Sequence, residues 1–272
     1  PGRTTGELDE LFAAHIAERG AAPNFYGYHA SPAISVPRSM RRSCTGIPGG
    51  RVLEPGDVLK IDGGCIIDGW HSDSARTVIL GSSEEGTADP EDEQLSEITR
   101  AAMWRGIAAF AEAKHIGEIG EAIEDHVRSQ PGKRLGILED YVGHGIGSAM
   151  HMAPDVFNYS TGMKGTKVRP GMALAIEPML VRGGIETDVL ADDWTVVTSD
   201  GSRASQWEHS VARHEAASGS SPPTTAAPRS SSPWASRPCR SGTDTTLAAR
   251  LAEFFHGVYD GLLVVSVVIP CP

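Results

Sequence analysis

The stretch Lys60-Ile61-Asp62-Gly63-Gly64-Cys65-Ile66-Ile67-Asp68-Gly69-Trp70-His71-Ser72-Asp73-Ser74-Ala75-Arg76-Thr77-Val78 decides how the chain is read. Asp68-Gly69 is a two-residue turn signal with β-branched and aromatic residues on either side, so the stretch reads as a β-hairpin. With that turn, Ile67 faces Trp70, Gly64 faces Asp73 and Asp62 faces Ala75. Opposed residues share a face, and so do residues two apart on one strand. Asp62 and Asp73 therefore become diagonal neighbours on one face. Adjacent acids repel unless positive charge lies between them, and a divalent metal ion supplies such charge.

A single acidic pair on a hairpin would ordinarily face water. A second copy of the pattern changes that reading. Leu53-Glu54-Pro55-Gly56-Asp57-Val58-Leu59-Lys60-Ile61-Asp62 aligns with Val168-Arg169-Pro170-Gly171-Met172-Ala173-Leu174-Ala175-Ile176-Glu177. Both run apolar, charged, Pro, Gly, then a strand ending in Ile and an acid. A repeat at this separation predicts two similar halves facing each other across a pseudo-twofold axis. Each half would offer a carboxylate, Asp62 or Glu177, to a shared centre.

Composition sets outer bounds. The 272 residues suit one large domain or two small ones, and 40% hydrophobic residues permit a sizeable core. A net charge of −11 lacks the basic footprint of a nucleic-acid binder, so no nucleic-acid binding is expected. Cys44, Cys65, Cys239 and Cys271 show neither paired nor zinc-like spacing, which predicts a reduced, cytoplasmic setting. The longest apolar run, Leu262 to Ile269, is too short to cross a bilayer, so no membrane association is expected. No signal peptide is visible, and the missing initiator Met predicts a truncated N-terminus.

Helical spacing of Leu8, Leu11, Phe12 and Ile16 predicts a helix over 6–19, and similar patterns predict helices over 94–115 and 118–129. The acidic segment 82–93 reads as a surface loop. Strands are expected over 168–181, 194–197 and 205–211. Residues 1–211 are expected to form the domain. Residues 212–246 are rich in Ser, Pro, Ala, Arg and Thr without apolar period, and 212–272 is expected to be a disordered or aberrant tail.

The candidates for a metal site are Asp62, Asp73, His144, Glu177 and Glu208. Four carboxylates can balance two divalent cations, and one imidazole adds a borderline ligand. Such a set suits Mn, Fe(II) or Co better than a structural zinc. His144 sits in Gly143-His144-Gly145-Ile146-Gly147, where small neighbours let another backbone come close. Singly, His144, His151 and Glu208 read as ordinary residues, and only the set carries the inference.

Lys60-Ile61-Asp62, His71-Ser72-Asp73, Gly143-His144-Gly145-Ile146-Gly147, His151-Met152-Ala153-Pro154, Ala175-Ile176-Glu177-Pro178-Met179 and Gln206-Trp207-Glu208-His209 follow one another along the chain. In this order and spacing they resemble the type I methionine aminopeptidases of the bacterial kind, in the pita-bread metallopeptidase superfamily, from about Gly6 to Val211. The resemblance implies an α+β pita-bread fold, with two pseudo-twofold-related halves of antiparallel sheet and outer helices around a central dinuclear metal site. It implies that Asp62, Asp73, His144, Glu177 and Glu208 hold two divalent ions. It also implies that His151 contacts substrate and steadies the oxyanion, and that Glu177 moves the proton to the leaving amine. The implied reaction is hydrolytic removal of the initiator methionine from nascent polypeptides at the ribosome. A hydroxide bridging the two metals would do this in a monomeric, cytoplasmic enzyme. Tyr26, Cys65 and Trp207 are expected to line the methionine pocket.

One stretch departs from the family. A Ser-Val-Asn-Glu-Val-Val-His-Gly-Ile-Pro-like segment is expected before the hairpin, but the chain has Arg38-Ser39-Met40-Arg41-Arg42-Ser43-Cys44-Thr45-Gly46-Ile47-Pro48, with Thr45 at the histidine position. GC-rich codons for Arg38 to Thr45, read from the third base, give Val-Asp-Ala-Glu-Val-Val-His. A frameshift across about 35–45, with a second after about 211, is therefore expected, and the nucleotide sequence decides it. The alternative reading of the chain is a catalytically impaired pita-bread homologue or gene relic that binds metal without turnover.

Overall fold

A computed structural model of the chain describes residues 1–27, 46–132 and 134–213, with the backbone of short strand segments at 38–39, 258–259 and 262–265. Thr45, most of the 35–45 segment and most of the 212–272 tail lie outside the described residues. The first half of the fold contains α1 (Thr5–Glu18), β1 (Ala22–Pro23), β2 (Arg38–Ser39), β3 (Val58–Asp62), β4 (Cys65–Ile67), β5 (Trp70–Ser72) and β6 (Ala75–Ile79). Then come α2 (Pro90–Glu112) and α3 (Gly117–Arg128). The second half continues with β7 (Gly136–Ile137), β8 (Gly143–Gly145), β9 (Met152–Val156), β10 (Ala173–Ile176) and β11 (Met179–Val181). It is completed by β12 (Thr187–Val189), β13 (Val196–Thr198), β14 (Ala204–Gln206) and β15 (His209–Arg213), with β16 (Val258–Tyr259) and β17 (Leu262–Val265) beyond.

The hairpin has the expected register. Asp68 and Gly69 both take positive φ, 51° and 82°, as a two-residue turn matched to strand twist requires. Ile67 faces Trp70, Cys65 faces Ser72 and Asp62 faces Ala75. The ladder is nonetheless cut in two at Gly63-Gly64 and Asp73-Ser74. Its tip, β4 and β5, joins β1 in one three-stranded sheet, and its base, β3 and β6, joins β2 in another.

The second half is cut at the same level. Strand β10 lies in a six-stranded sheet of order β16-β17-β15-β10-β8-β9, and β11 lies in a three-stranded sheet of order β14-β11-β7. The strands expected over 168–181 and 205–211 are therefore each broken, at Glu177-Pro178 and at Trp207-Glu208. Pro178 has no N–H to give to a ladder, so a sheet cannot run through it. Each break falls at a candidate ligand.

The repeat extends well beyond the matching sequence. Gly56 and Gly171, which follow the paired prolines, both have φ of 85°. Gly56 donates to Leu80 O at 2.5 Å, and Gly171 donates to Arg213 O at 2.7 Å. Leu53 N bonds Arg3 O at 2.8 Å, as Val168 N bonds Lys114 O at 2.9 Å. Gly6 N bonds Gly49 O at 2.9 Å, as Gly117 N bonds Lys164 O at 3.0 Å. These pairs make α1 the counterpart of α3. The halves meet where Glu208 N donates to Ala75 O at 2.9 Å and Ala75 N donates back to Glu208 O at 3.4 Å.

Helix α2 starts earlier than its apolar pattern suggests. Asp89 caps it by accepting from Glu91 N, Pro90 occupies the first turn, and Glu91, Asp92 and Glu93 follow. Acids in a first turn complement the helix dipole, so the segment that reads as an acidic loop is partly helix. The main core lies between α2, α3 and the sheet, with Leu95, Met103, Ile107, Phe110, Ile119, Ile123, Leu174, Ile176 and Val211 buried together. A Cβ on Gly106 would meet Ile123 Cδ1 at 2.8 Å, so a bare backbone there lets α3 sit against α2. In α1, Phe12 and Ile16 are buried, whereas Leu11 is exposed.

Candidate metal centre

The breaks in the two half-ladders bring the candidate side chains to one place. Asp62 ends β3, Asp73 follows β5, Glu177 follows β10, and Glu208 lies between β14 and β15. His144 is central in β8, which is wedged between β10 and β9. A Cβ on Gly143 would overlap Ala175 O, and one on Gly145 would overlap Ala153 O. The glycines flanking His144 are what allow this close packing.

Asp73, His144 and Glu208 are buried, and their ligand atoms lie within 4.8 Å of one another. Glu177 Oε1 stands 3.6 Å from His144 Nε2. Gln206 Nε2 reaches Asp62 Oδ2 at 3.2 Å and Glu177 Oε2 at 3.5 Å, which joins Asp62 to the group. His144 Nδ1 lies 2.9 Å from Gly145 O. A carbonyl can only accept, so Nδ1 carries the proton and the Nε2 lone pair faces the carboxylates. His151 is exposed at the edge of the cluster, its ring 4.2 Å from that of His144.

Electrostatics mark this as an acidic pocket short of positive charge. Burial pushes the Asp62 carboxyl up to about 6, against the opposing pull of the Gln206 amide and the Lys60 charge. Burial raises Asp73, Glu177 and Glu208 well above the usual carboxylate range, and the neighbouring acids raise each of them further. Burial also lowers the His144 imidazole, keeping it neutral. Among the described residues, Asp62 Oδ1 and Glu208 Oε1 are buried without a hydrogen-bond partner. Buried polar atoms are normally satisfied, and here cations would satisfy them. The donor set fits divalent metal ions.

Of the residues expected to line a substrate pocket, Tyr26 is exposed and Cys65 is buried against Phe12 and Ile16. Trp207 turns toward α2 instead, where its Nε1 donates to Ser96 Oγ at 3.1 Å. Its neighbours Gln206 and Glu208 point into the cluster, so strand alternation sends Trp207 the other way. The same alternation puts His209 beside Trp104, where burial drives its imidazole down to about 3.

Three further side chains support the site without being candidate ligands: Gln206 reaches Asp62, Thr77 Oγ1 donates to Gln206 O, and Ser210 Oγ donates to Asp73 O. Gln206 is a neutral amide, while Thr77 and Ser210 are hydroxyls. Only Gln206 carries a signal in the sequence, its place two residues before Glu208.

Residues 1–215 match the family described as metallopeptidase family M24. The chain belongs to that family. Its divalent-metal chemistry follows from that membership, and its fold is the pita-bread arrangement of two antiparallel halves with outer helices. The M24 chain is 43% identical over 216 residues to methionine aminopeptidase 1 of Mycobacterium tuberculosis, covering 78% of this chain and 79% of the relative. It is 36% identical to methionine aminopeptidase 1 of Bacillus subtilis, covering 78% and 82% respectively. Among solved structures, methionine aminopeptidase from Thermotoga maritima superposes with a TM-score of 0.73 at 30% identity, covering 79% of this chain and 83% of that one. No helix among the described residues is long and apolar enough to cross a membrane.

Proposed function

We propose that this M24 chain is a methionine aminopeptidase in which Asp62, Asp73, His144, Glu177 and Glu208 hold two divalent ions, drawn from Mn, Fe(II) or Co. The observation that carries the reading is the cluster itself: three buried carboxylates, the half-buried Asp62 and one neutral imidazole, with Asp62 Oδ1 and Glu208 Oε1 lacking a hydrogen-bond partner among the described residues. The catalytic unit is assigned to residues 1–211, which hold all five of these side chains.

When bound, such ions supply Lewis acidity, polarising a carbonyl and lowering the pKa of water. The chain's own groups do the rest. Glu177 takes a proton at a carboxylate oxygen and passes it to the leaving amine. His151, at the exposed edge, donates a hydrogen bond to the substrate carbonyl oxygen as negative charge develops there. A free N-terminal ammonium is drawn to the carboxylates, whereas a blocked or internal residue has no such charge, and this selects exopeptidase over endopeptidase action.

The reading is tested with purified protein loaded with Mn(II) or Co(II) and offered Met-Gly-Met, N-acetyl-Met-Gly-Met and Leu-Gly-Met. Release of methionine from the first peptide alone is expected. Cleavage of the acetylated peptide at a similar rate, or no preference for methionine, would overturn it.

A further inference from the structure

Across the pseudo-twofold, Asp62 corresponds to Glu177 and Ala75 to Glu208, so the counterpart of Asp73 is Gln206. The same hydroxyl device holds both members of that last pair. Ser210 Oγ accepts from Asp73 N at 2.8 Å and donates to Asp73 O at 2.8 Å. Thr77 Oγ1 accepts from Gln206 N at 2.9 Å and donates to Gln206 O at 2.8 Å. Each hydroxyl comes from the opposite half and grips both backbone polar groups of its target. What differs is the side chain it holds. In one half that is a carboxylate aimed at the centre, and in the other it is an amide.

The amide has a specific task. Gln206 is 1% exposed, and its Nε2 faces one carboxylate from each half, Asp62 Oδ2 and Glu177 Oε2. Carboxylates accept hydrogen bonds, so the amide nitrogen is the end that must face them. One oxygen of each acid is thereby engaged by the amide, and the other is left outside that grip. Asp62 Oδ1 stays buried and unpartnered, and Glu177 Oε1 stays 3.6 Å from His144 Nε2. A fifth carboxylate at this position would add repulsion, whereas an apolar side chain would leave both acids free to rotate.

We infer that Gln206, fixed in place by the Thr77 hydroxyl, is a positioning residue that selects which oxygens of Asp62 and Glu177 are presented to the metal ions. The assignment rests on the metal-centre reading above. It makes the centre functionally asymmetric, since symmetry-related positions supply a ligand on one side and a ligand-orienting donor on the other. Residues that orient ligands in this way govern metal affinity and geometry without touching the metal.

The test uses Co(II) as both ligand and spectroscopic probe, in the full chain. Gln206→Met keeps side-chain length and removes the donor. Thr77→Val keeps shape and removes the hydroxyl, and Thr77→Ser restores it. Calorimetric titration of Gln206→Met is expected to show Co(II) affinity reduced about 10- to 100-fold, with an altered visible absorption spectrum of the bound ion. Thr77→Val should shift both readouts in the same direction, and Thr77→Ser should return them to the wild-type values. A purely packing role would leave the spectrum unmoved. Wild-type affinity and spectrum in folded Gln206→Met would overturn the assignment. Should that variant fail to fold, wild-type behaviour of Thr77→Val would overturn it equally. Absence of Co(II) binding by the wild type would overturn the metal-centre reading and this assignment together, which separates the two failures.

Discussion

Asp62 and Asp73 illustrate what a turn alone can reveal. Once Asp68-Gly69 fixes the register, their adjacency follows from strand geometry, and the structure keeps that register from Ile67↔Trp70 to Asp62↔Ala75. Gln206 could not be found the same way, because a neutral amide has no charge that demands explanation until its carboxylate partners are in place. The burial of these acids has a consequence for pH. An acid whose folded-state pKa exceeds its unfolded value holds a proton that the unfolded chain has already released. Its ionisation therefore costs stability as pH rises, here from the ordinary aspartate range through about 6 for Asp62. Bound cations relieve that cost by replacing the protons. The gain in melting temperature on adding Mn(II) should therefore be larger at about pH 7.5 than at about pH 5. His209, whose imidazole burial drives down to about 3, opposes that trend on its own, so the metal-loaded minus metal-free difference is the quantity compared. A gain independent of pH would contradict this account of the cluster.

At the scale of elements, the positions of strands and helices were readable from period and turn chemistry, but the breaks were not. Val168 to Val181 looks like one strand by composition, and only tertiary pairing shows that the chain changes sheets at Glu177-Pro178. The start of α2 was hidden for a different reason, since Asp89 to Glu93 carry acidity, which suits a loop and a first helical turn alike. That cap can be tested. Asp89→Ala removes the acceptor for Glu91 N and a contact with Arg182, and urea denaturation should show a loss of about 1 kcal/mol. No measurable loss would mean that the cap is not needed. Strand β8 gives a sharper case. A methyl group on Gly143 would overlap Ala175 O and crowd Val156 Cβ at 3.2 Å. Gly143→Ala should therefore destabilise the protein by roughly 1–3 kcal/mol, as overpacking does, and weaken metal binding by displacing His144. Wild-type stability in that variant would show that the sheet can open at no cost.

For the whole molecule, the matched Pro-Gly segments pointed to two halves, and the structure extends that symmetry to turns, helices and the hydroxyl clamps. Sequence similarity marked the repeat at the Pro-Gly turns, where Gly56 and Gly171 both have φ of 85°, and at the strand ends Ile61-Asp62 and Ile176-Glu177. Elsewhere the halves keep the same hydrogen bonds with different side chains, so the eye finds no match. The fold sets one acid from each half at corresponding strand ends, and the central claim is that the resulting cluster works only with divalent cations. Stepwise addition of Mn(II) to metal-free protein, with methionine release from Met-Gly-Met as the readout and Asp73→Asn as control, tests that claim most directly. Release should be absent without metal, rise to a plateau as ions are added, and fall at least ~100-fold in the control, beyond the range expected of an outer-sphere change. Full release from metal-free protein, or undiminished release by Asp73→Asn, would contradict it.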